Sequence, residues 1–257
     1  MSSVLSLSGG LDSTTLLLHL LAKENEVYAI SFNYGQKHRI EIEFAKRNIN
    51  YLNKNGYQVN HKVVDISDIV SLLKSSLTDM ESSVPEGHYM DESMKSTFVP
   101  NRNSIFSSII YGYALSIYKS TGTSVEFSLG VHAGDHLIYP DCRPEFYSHL
   151  IKSFDIGNWD SEGVSLYFPY INLQKSDIIK DGIYSCEKLD LDYKLIYRNT
   201  LTTYSPDSNG YSNGKTGSDI ERILAFNQLD IEDPGLYLES WDKLVTHAIK
   251  CEKEINT

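Results

Sequence analysis

A glycine-rich segment near the amino terminus carries residue types that bind phosphate groups. Its sequence is SGGLDST, and its members are Ser8, Gly9, Gly10, Leu11, Asp12, Ser13 and Thr14. Adjacent glycines let the backbone approach phosphate oxygens, hydroxyl groups add hydrogen-bond donors, and the N-terminus of a following helix supplies partial positive charge. No lysine follows the glycines, so the segment is not a Walker A loop. We predict a phosphate site here, against the simpler alternative of a Gly-Gly turn with a polar helix cap.

Polar segments recur where other predicted strands end or helices begin. They are FNYGQKH at 32–38, VPNRN at 99–103, GVHAGD at 130–135 and YPDCRPEF at 139–146. Open α/β sheets bind ligands at the carboxyl ends of their strands, so these segments are expected to meet the glycine-rich segment at one edge. Taken singly, several of their residues also fit helix caps or surface ion pairs: Arg102, Asn103, Arg143, Pro144 and Glu145.

Apolar runs rich in β-branched residues alternate with helix-period segments along most of the chain. Strands are predicted over residues 3–7, 27–32, 58–66, 124–130 and 164–168, and helices over 14–23, 38–54, 103–119, 144–155 and from about 175. This alternation is typical of an α/β fold, in which helices flank a parallel sheet. Residues 75–97 lack periodicity and predict a long loop beside the ligand edge. A turn-rich loop from residue 204 and two helical stretches predict a small C-terminal helical lobe.

Composition limits the classes of partner. The chain has 257 residues and a net charge of −11, which disfavours an extended contact with nucleic acid. Cys142, Cys186 and Cys251 form no CxxC pair, which argues against a disulfide framework and a four-cysteine zinc knuckle. No run approaches the roughly 20 apolar residues of a membrane span, and the N-terminus lacks the basic region of a secretion signal. We expect a cytoplasmic protein that acts on small molecules, with neither nucleic acid nor membrane as partner.

Taken together, the motifs resemble a known family. SGGLDS is similar to the pyrophosphate loop of the PP-loop ATP pyrophosphatases, and FNYGQ, VPNRN and YPDCRPEF resemble, in order and spacing, signatures of the 7-cyano-7-deazaguanine synthases. The resemblance runs from about residue 4 to residue 226. It implies an adenine nucleotide alpha hydrolase-like, Rossmann-like fold, with an ATP pyrophosphatase domain over residues 1–200 and the C-terminal lobe over 201–257.

The resemblance also implies a reaction. In that family ATP, with Mg²⁺, activates the carboxylate of 7-carboxy-7-deazaguanine as an adenylate, ammonia yields the amide, and a second ATP dehydrates the amide to the nitrile, so the enzyme is an adenylate-forming C–N ligase. One alternative is a diverged member that transfers the adenylated deazaguanine to an amine of a partner protein, in an antiviral defence system. A second alternative is a non-catalytic nucleotide-binding module. We also expect a homodimer.

Individual residues receive roles from the resemblance. The glycine-rich segment is expected to bind ATP, with Asp12 holding Mg²⁺. The expected catalytic residues are Asp12, Lys37, Arg102, Asp135 and Lys175. The expected substrate-binding residues are Tyr34, Gln36, Asn101, Arg102, His132, Asp141, Arg143 and Phe146. His38, His132 and Asp135 are candidates to accept a proton from ammonia or the base, whereas Cys142 is expected to pack rather than react. Lys175 equally fits a solvated lysine at a helix start.

The chain departs from the family in its zinc-binding loop. The four cysteine positions are occupied here by Pro206, Asn213, Thr216 and Asp219. Neutral side chains cannot replace thiolates as tight zinc ligands, so no zinc is expected and the loop must be held by its own hydrogen bonds or by a partner. His132 and Gly134 also depart from an Asn-containing family pattern. The activation chemistry is therefore better specified by the sequence than the amine acceptor.

Overall fold

Five parallel strands form the sheet that the alternating pattern predicts. The computed structural model describes residues 1–79, 81–87, 92–137 and 139–255, and within them the strand order is β3-β2-β1-β4-β5. The strands are β1 (Ser2–Ser6), β2 (Glu26–Asn33), β3 (Val59–Asp65), β4 (Val125–Ser128) and β5 (Val164–Tyr167). All four pairings are parallel, so every carboxyl end lies at one edge. The predicted α/β fold is confirmed.

Helices connect and flank these strands. They are α1 (Leu11–Ala22), α2 (Glu41–Lys54), α3 (Ser67–Val70), α4 (Arg102–Thr121), α5 (Pro144–Gly157), α6 (Lys175–Lys188), α7 (Tyr193–Arg198), α8 (Gly217–Gln228) and α9 (Trp241–Ile255). The predicted helix over 14–23 is wrong at its start, because α1 begins directly after Gly10, whose backbone is extended. The sequence pattern predicts neither α3 nor α7, which have four and six residues. The loop predicted over 75–97 lies partly outside the described residues, and its end, Glu92–Thr97, is a 3₁₀ helix.

Apolar side chains cover both faces of the sheet. On one face α1 and α6 pack together through residues that include Leu17 and Ile178. On the other face α4 packs through residues that include Ile110. Val4 and Leu5 belong to different faces because successive side chains of a strand alternate. Burial on both sides fixes the strand register and with it the positions of the segments that follow each strand.

The winding of the sheet places two predicted segments side by side. The chain leaves β1 toward β2 on one side and later returns to β4 on the other side of β1. Such a change of direction opens a crevice at the carboxyl ends of the two central strands. The glycine-rich segment follows β1, and residues 129–135 follow β4. A Cβ at Gly130 would lie 3.1 Å from the backbone carbon of Asp12, so the two segments are in close contact.

The two helical stretches predicted after residue 204 are present as α8 and α9. They pack on each other through Ile220, Ile223, Leu244 and Ala248. α8 also contacts α6, which connects this part to the sheet. The division of the chain at residue 200 into two domains stays a prediction. Across the described ranges, every helix is too short or too polar to cross a membrane.

Candidate active site

A cavity of about 220 Å³ opens at the carboxyl ends of β1 and β4. Ser8 and Gly130, which follow these strands, both line it. The first residues of α2, α4 and α6 complete the wall with Glu41, Arg102 and Lys175. The fold therefore collects polar side chains from distant parts of the chain in one concave site, the usual form of a small-molecule site.

Hydroxyl groups close the glycine-rich segment on itself. Ser13 Oγ accepts the Ser8 N–H at 3.1 Å, and Ser8 Oγ accepts the Gly10 N–H at 3.1 Å. Gly9 has a φ of +95°, and a Cβ there would lie 2.2 Å from the carbonyl oxygen of Glu41. Only glycine fits this approach between the segment and α2. The N-terminus of α1 faces the same space and supplies partial positive charge for a phosphate.

A strap after α7 supports the outer side of the glycine-rich segment. The Leu201 N–H donates to the carbonyl oxygen of Gly9 at 2.9 Å, and Leu201 and Thr202 line the cavity. Arg222 of α8 donates to the hydroxyl oxygens of Thr200 and Thr202 at 2.9 Å each. The C-terminal part of the chain is therefore linked to the candidate phosphate site through this strap, residues 200–203.

A charged cluster lies beside the glycine-rich segment. Lys175 Nζ lies 2.7 Å from Asp12 Oδ2 and 3.2 Å from Glu221 Oε2. Burial opposes the ammonium, but Asp12 and Glu221 together raise the pKa of Lys175. Burial likewise opposes the Asp12 carboxylate, yet Lys175 and His132 lower the pKa of Asp12. At neutral pH the cavity therefore holds a fixed ammonium next to an ionised carboxylate.

His132 lies directly behind this cluster. Its Nδ1 accepts the N–H of Gly134 at 3.0 Å, so the ring proton is on Nε2. Nε2 lies 3.5 Å from Asp135, 3.8 Å from Glu221 and 3.9 Å from Asp12. A Cβ at residue 134 would lie 2.1 Å from Glu221 Oε1 and 2.8 Å from His132 Cε1. The Glu221 carboxylate and the His132 imidazole therefore leave little room for any side chain at residue 134.

A second wall of the cavity combines a guanidinium with aromatic rings. The Arg102 guanidinium lies 5.7 Å from the Tyr34 ring centre, and Nη1 is 3.5 Å from the Tyr34 hydroxyl. Burial opposes the charge, but the surrounding tyrosines and Asp141 raise the pKa of Arg102. The ring of Tyr204 lies 5.4 Å from that of His38. This wall therefore presents a cation and flat apolar surfaces to the cavity.

Two further titratable groups in this wall are neutral at pH 7. Burial raises the pKa of Glu41 to about 8, although a hydrogen bond from Gln36 opposes the shift. Burial, with a smaller effect of Arg102, lowers the pKa of His38 to about 3. The two side chains are 3.6 Å apart at His38 Nε2 and Glu41 Oε1. Cys142 also lines the cavity, and burial raises the pKa of its thiol, which makes it a poor nucleophile.

Half of the predicted site residues line the cavity. They are Ser8, Gly10, Leu11, Asp12, Ser13, Tyr34, Arg102, Asp135 and Lys175. The other half lie outside the cavity lining: Gly9, Thr14, Gln36, Lys37, Asn101, His132, Asp141, Arg143 and Phe146. Lys37 Nζ donates to the carbonyl oxygen of Ser82, and Arg143 Nε donates to that of His136 at 3.0 Å. Lys37 and Arg143 thus bond to backbone in this structure, and their roles stay predictions.

Two acidic residues of the site are absent from the sequence-based prediction. Glu221 comes from α8, far along the chain, and no local pattern links it to Lys175. Glu41 follows FNYGQKH by only three residues and sits at a helix start, so its position was a usable signal. An acid in the first turn of a helix is ordinarily explained by the helix dipole, which hides its second role.

The loop where the resemblance expects zinc ligands is held by hydrogen bonds. Thr216 caps α8, and its Oγ1 donates to Asp219 Oδ2 at 2.5 Å. Asn213 Nδ2 donates to Glu86 Oε1 at 3.1 Å. These side chains offer neither thiolate nor imidazole, so they do not fit zinc. Asp12 does fit Mg²⁺, because its Oδ1 is buried without a hydrogen-bond partner among the described residues.

Comparison with known proteins identifies relatives over nearly the whole chain. The family of queuosine biosynthesis protein QueC matches residues 2–230. A 7-cyano-7-deazaguanine synthase from Caldicellulosiruptor saccharolyticus is 44% identical over 95% of this chain and 99% of its own length. A 7-cyano-7-deazaguanine synthase from Methanoregula boonei is 43% identical over 92% of this chain and 99% of its own length. Among solved structures, NMN synthetase from Francisella tularensis is 14% identical with a TM-score of 0.41, covering 97% of this chain and 84% of its own, a likeness too remote to bear on function.

Proposed function

The chain belongs to the family of queuosine biosynthesis protein QueC, and on that premise we propose that it is a 7-cyano-7-deazaguanine synthase. It is then an ATP-dependent ligase that acts on small molecules, ATP and a 7-deazaguanine. The observation that carries the proposal is the position of the Lys175 ammonium, 2.7 Å from Asp12 and beside the closed glycine-rich segment. A fixed cation and a helix N-terminus at one cavity wall suit the phosphates of ATP.

The proposed chemistry uses ATP twice. The carboxylate of 7-carboxy-7-deazaguanine attacks the α-phosphorus of ATP, which forms an acyl-adenylate and releases pyrophosphate. Ammonia displaces AMP and gives the amide. The amide oxygen then attacks a second ATP, and loss of AMP and protons from the nitrogen leaves the nitrile. Both activation steps develop negative charge on pyrophosphate, so one phosphate site serves both.

We assign the residues of the cavity wall to these steps. The N–H groups and hydroxyls of the glycine-rich segment hold the β- and γ-phosphates, and Lys175 neutralises the charge that develops on pyrophosphate. Asp12 would hold Mg²⁺, which neutralises phosphate charge when bound. Arg102 also lines the cavity and would orient the carboxylate of the base. Asp135, which also lines the cavity, would accept a proton from the incoming ammonia.

Other parts of the proposal rest on the sequence. A homodimer, the absence of zinc and nucleic acid, and a cytoplasmic location stay predictions. The relatives carry the name of the synthase, which favours ammonia over a protein amine as the acceptor. The hydrogen bonds of Thr216 and Asp219 support a loop that needs no metal.

A pyrophosphate-release assay tests the activation chemistry. We expect release from ATP and Mg²⁺ to require 7-carboxy-7-deazaguanine. Asp12→Asn should lower kcat by about 10²- to 10³-fold, because it weakens the charged cluster at the phosphates. Asp177→Asn is the matched control, since Asp177 is an exposed α6 carboxylate paired with Lys180. Equal rates for the two variants, or release independent of the base, would refute these assignments.

A further inference from the structure

The cavity wall at the start of α2 holds a carboxyl group that the proposed ATP chemistry does not use. Glu41 begins α2 and lines the cavity, with its side chain 10% exposed. The helix dipole favours an acid in this first turn, but the exposed Glu43 satisfies the same preference two residues later. The dipole alone therefore does not explain why a carboxyl group is buried in a cavity wall.

The neighbour of Glu41 is locked in one orientation. Gln36 Oε1 accepts the Tyr34 N–H at 2.9 Å, which identifies the amide oxygen. Gln36 Nε2 then donates to the carbonyl oxygen of Phe32 at 3.1 Å and to Glu41 Oε1 at 3.0 Å. Both amide hydrogens are used. Glu41 Oε1 must therefore act as an acceptor, and Gln36 fixes the plane in which the carboxyl group is presented.

Glu41 has fewer donors around it than a buried carboxylate needs. Among the described residues, the basic side chain within 4.0 Å of Glu41 is His38, at 3.6 Å. Burial lowers the pKa of His38, so its imidazole is neutral and offers Glu41 no positive charge. Arg102 favours the carboxylate from a greater distance. A buried carboxyl group costs free energy unless hydrogen-bond donors satisfy it. The donors that this wall lacks are ones that a ligand can bring.

The ligand edge that suits such a group carries two adjacent N–H donors. A guanine-type base offers them at N1–H and the 2-amino group, one for each carboxylate oxygen. Burial keeps Glu41 protonated at pH 7 in this structure, and two such donors would stabilise its carboxylate together with the Gln36 hydrogen bond and the Arg102 charge, which already favour that form. An adenine edge alternates a donor with an acceptor and would instead leave the proton on Glu41. Tyr34, Phe106 and Tyr204 line the same cavity and supply flat faces for a stacked base.

Resting on the proposed function, we propose that Glu41 is the residue that recognises the N1–H and 2-amino edge of the 7-deazaguanine substrate. Gln36 is its positioning residue. Glu41 and Arg102 line the same cavity, so the base would place its pyrimidine edge at Glu41 and its 7-carboxylate at Arg102.

The test compares two substrates on three proteins. The substrates are 7-carboxy-7-deazaguanine and the analogue without the 2-amino group, and the proteins are wild type, Glu41→Gln and the matched control Glu43→Gln. Wild type should favour the 2-amino substrate in kcat/KM by about 10- to 100-fold, the effect of losing a hydrogen bond to a charged partner. In Glu41→Gln that preference should vanish through a higher KM for the base, with KM for ATP unchanged. Glu43→Gln should match wild type.

Several outcomes overturn the proposal. If wild type accepts both substrates equally well, the proposal is wrong whatever the variants do. The test therefore remains decisive even if Glu41→Gln fails to fold. An undiminished preference in Glu41→Gln contradicts it as well. A raised KM for ATP with an unchanged KM for the base would place adenine, not the deazaguanine, at Glu41. Failure of the proposed function looks different, because wild type would then release no pyrophosphate with either substrate.

Discussion

Replacing Arg222 by methionine should destabilise the protein strongly. Arg222 is 2% exposed, and its Nε and Nη2 donate to the two oxygens of Asp233 at 2.6 and 2.8 Å. Its other contacts hold the strap, residues 200–203, that reaches the Gly9 carbonyl. The methionine variant keeps most of the buried volume but leaves the carboxylate of Asp233 buried without its cation.

The magnitude follows from what remains around Asp233. Breaking a buried ion pair by removing one partner costs about 3–5 kcal/mol. The N–H of Gly235 at 2.8 Å and the Tyr237 hydroxyl at 2.7 Å continue to donate to Asp233, which places the cost at the lower end. A loss of about 3 kcal/mol corresponds to a fall in Tm of about 6–12 °C for a chain of this size.

Urea unfolding measures the effect. Arg198→Met, at an exposed position of α7, is the matched control and should stay within about 0.5 kcal/mol of wild type. Arg222→Met/Asp233→Asn should recover part of the loss, because the uncompensated charge is gone. The loosened strap should also raise KM for ATP in Arg222→Met. A destabilisation below about 1 kcal/mol would refute the account of this pair.

Three further predictions concern the site and its loop. Gly134→Ala should lower kcat/KM at least about tenfold, because its Cβ would lie 2.1 Å from Glu221 and 2.8 Å from His132. Gly157→Ala is the control, since a Cβ there meets nothing within 4 Å. Equal kinetics for the two variants would contradict the packing argument. Burial raises the pKa of Glu41 in the folded protein to about 8, above its ordinary value of 4.5. Between these two pH values the native state keeps a proton that the unfolded state releases. The free energy of unfolding of wild type should therefore fall relative to that of Glu41→Gln as pH rises from 5 to 8. Urea unfolding at several pH values measures this difference, and parallel pH profiles would refute it. Metal analysis of the purified protein should find less than about one tenth of an equivalent of zinc, and chelation should leave Tm unchanged, whereas stoichiometric zinc would overturn the account of the loop.

Local patterns carried much of the fold and the phosphate site. The alternation of strand and helix periods predicts all five strands within a few residues, because short runs rich in β-branched residues alternate with helix-period segments. The glycine-rich segment is equally local, since the donors proposed for phosphate are largely the backbone N–H groups of Gly9 and its neighbours. Position after the first strand was enough to place this segment at the ligand edge.

The rest of the site depends on packing that no local pattern shows. Glu221 reaches Lys175 from a helix near the other end of the chain, so only the tertiary structure joins them. The need for glycine at residue 134 likewise follows from a contact in the folded structure, because a Cβ there would lie too close to His132. Thr216 and Asp219 read in the sequence as lost zinc ligands, whereas in the structure they form the cap of α8.

Mass spectrometry of the reaction product tests the central claim most directly. Wild-type protein would be incubated with ATP, Mg²⁺, 7-carboxy-7-deazaguanine and ¹⁵N-ammonium, with Asp12→Asn in parallel. The account predicts 7-cyano-7-deazaguanine with one ¹⁵N atom from wild type only, with two pyrophosphates released for each nitrile. Pyrophosphate release that stops at an adenylate or amide would contradict the synthase assignment and favour a protein amine as acceptor, and no pyrophosphate release at all would contradict the enzyme assignment for this substrate.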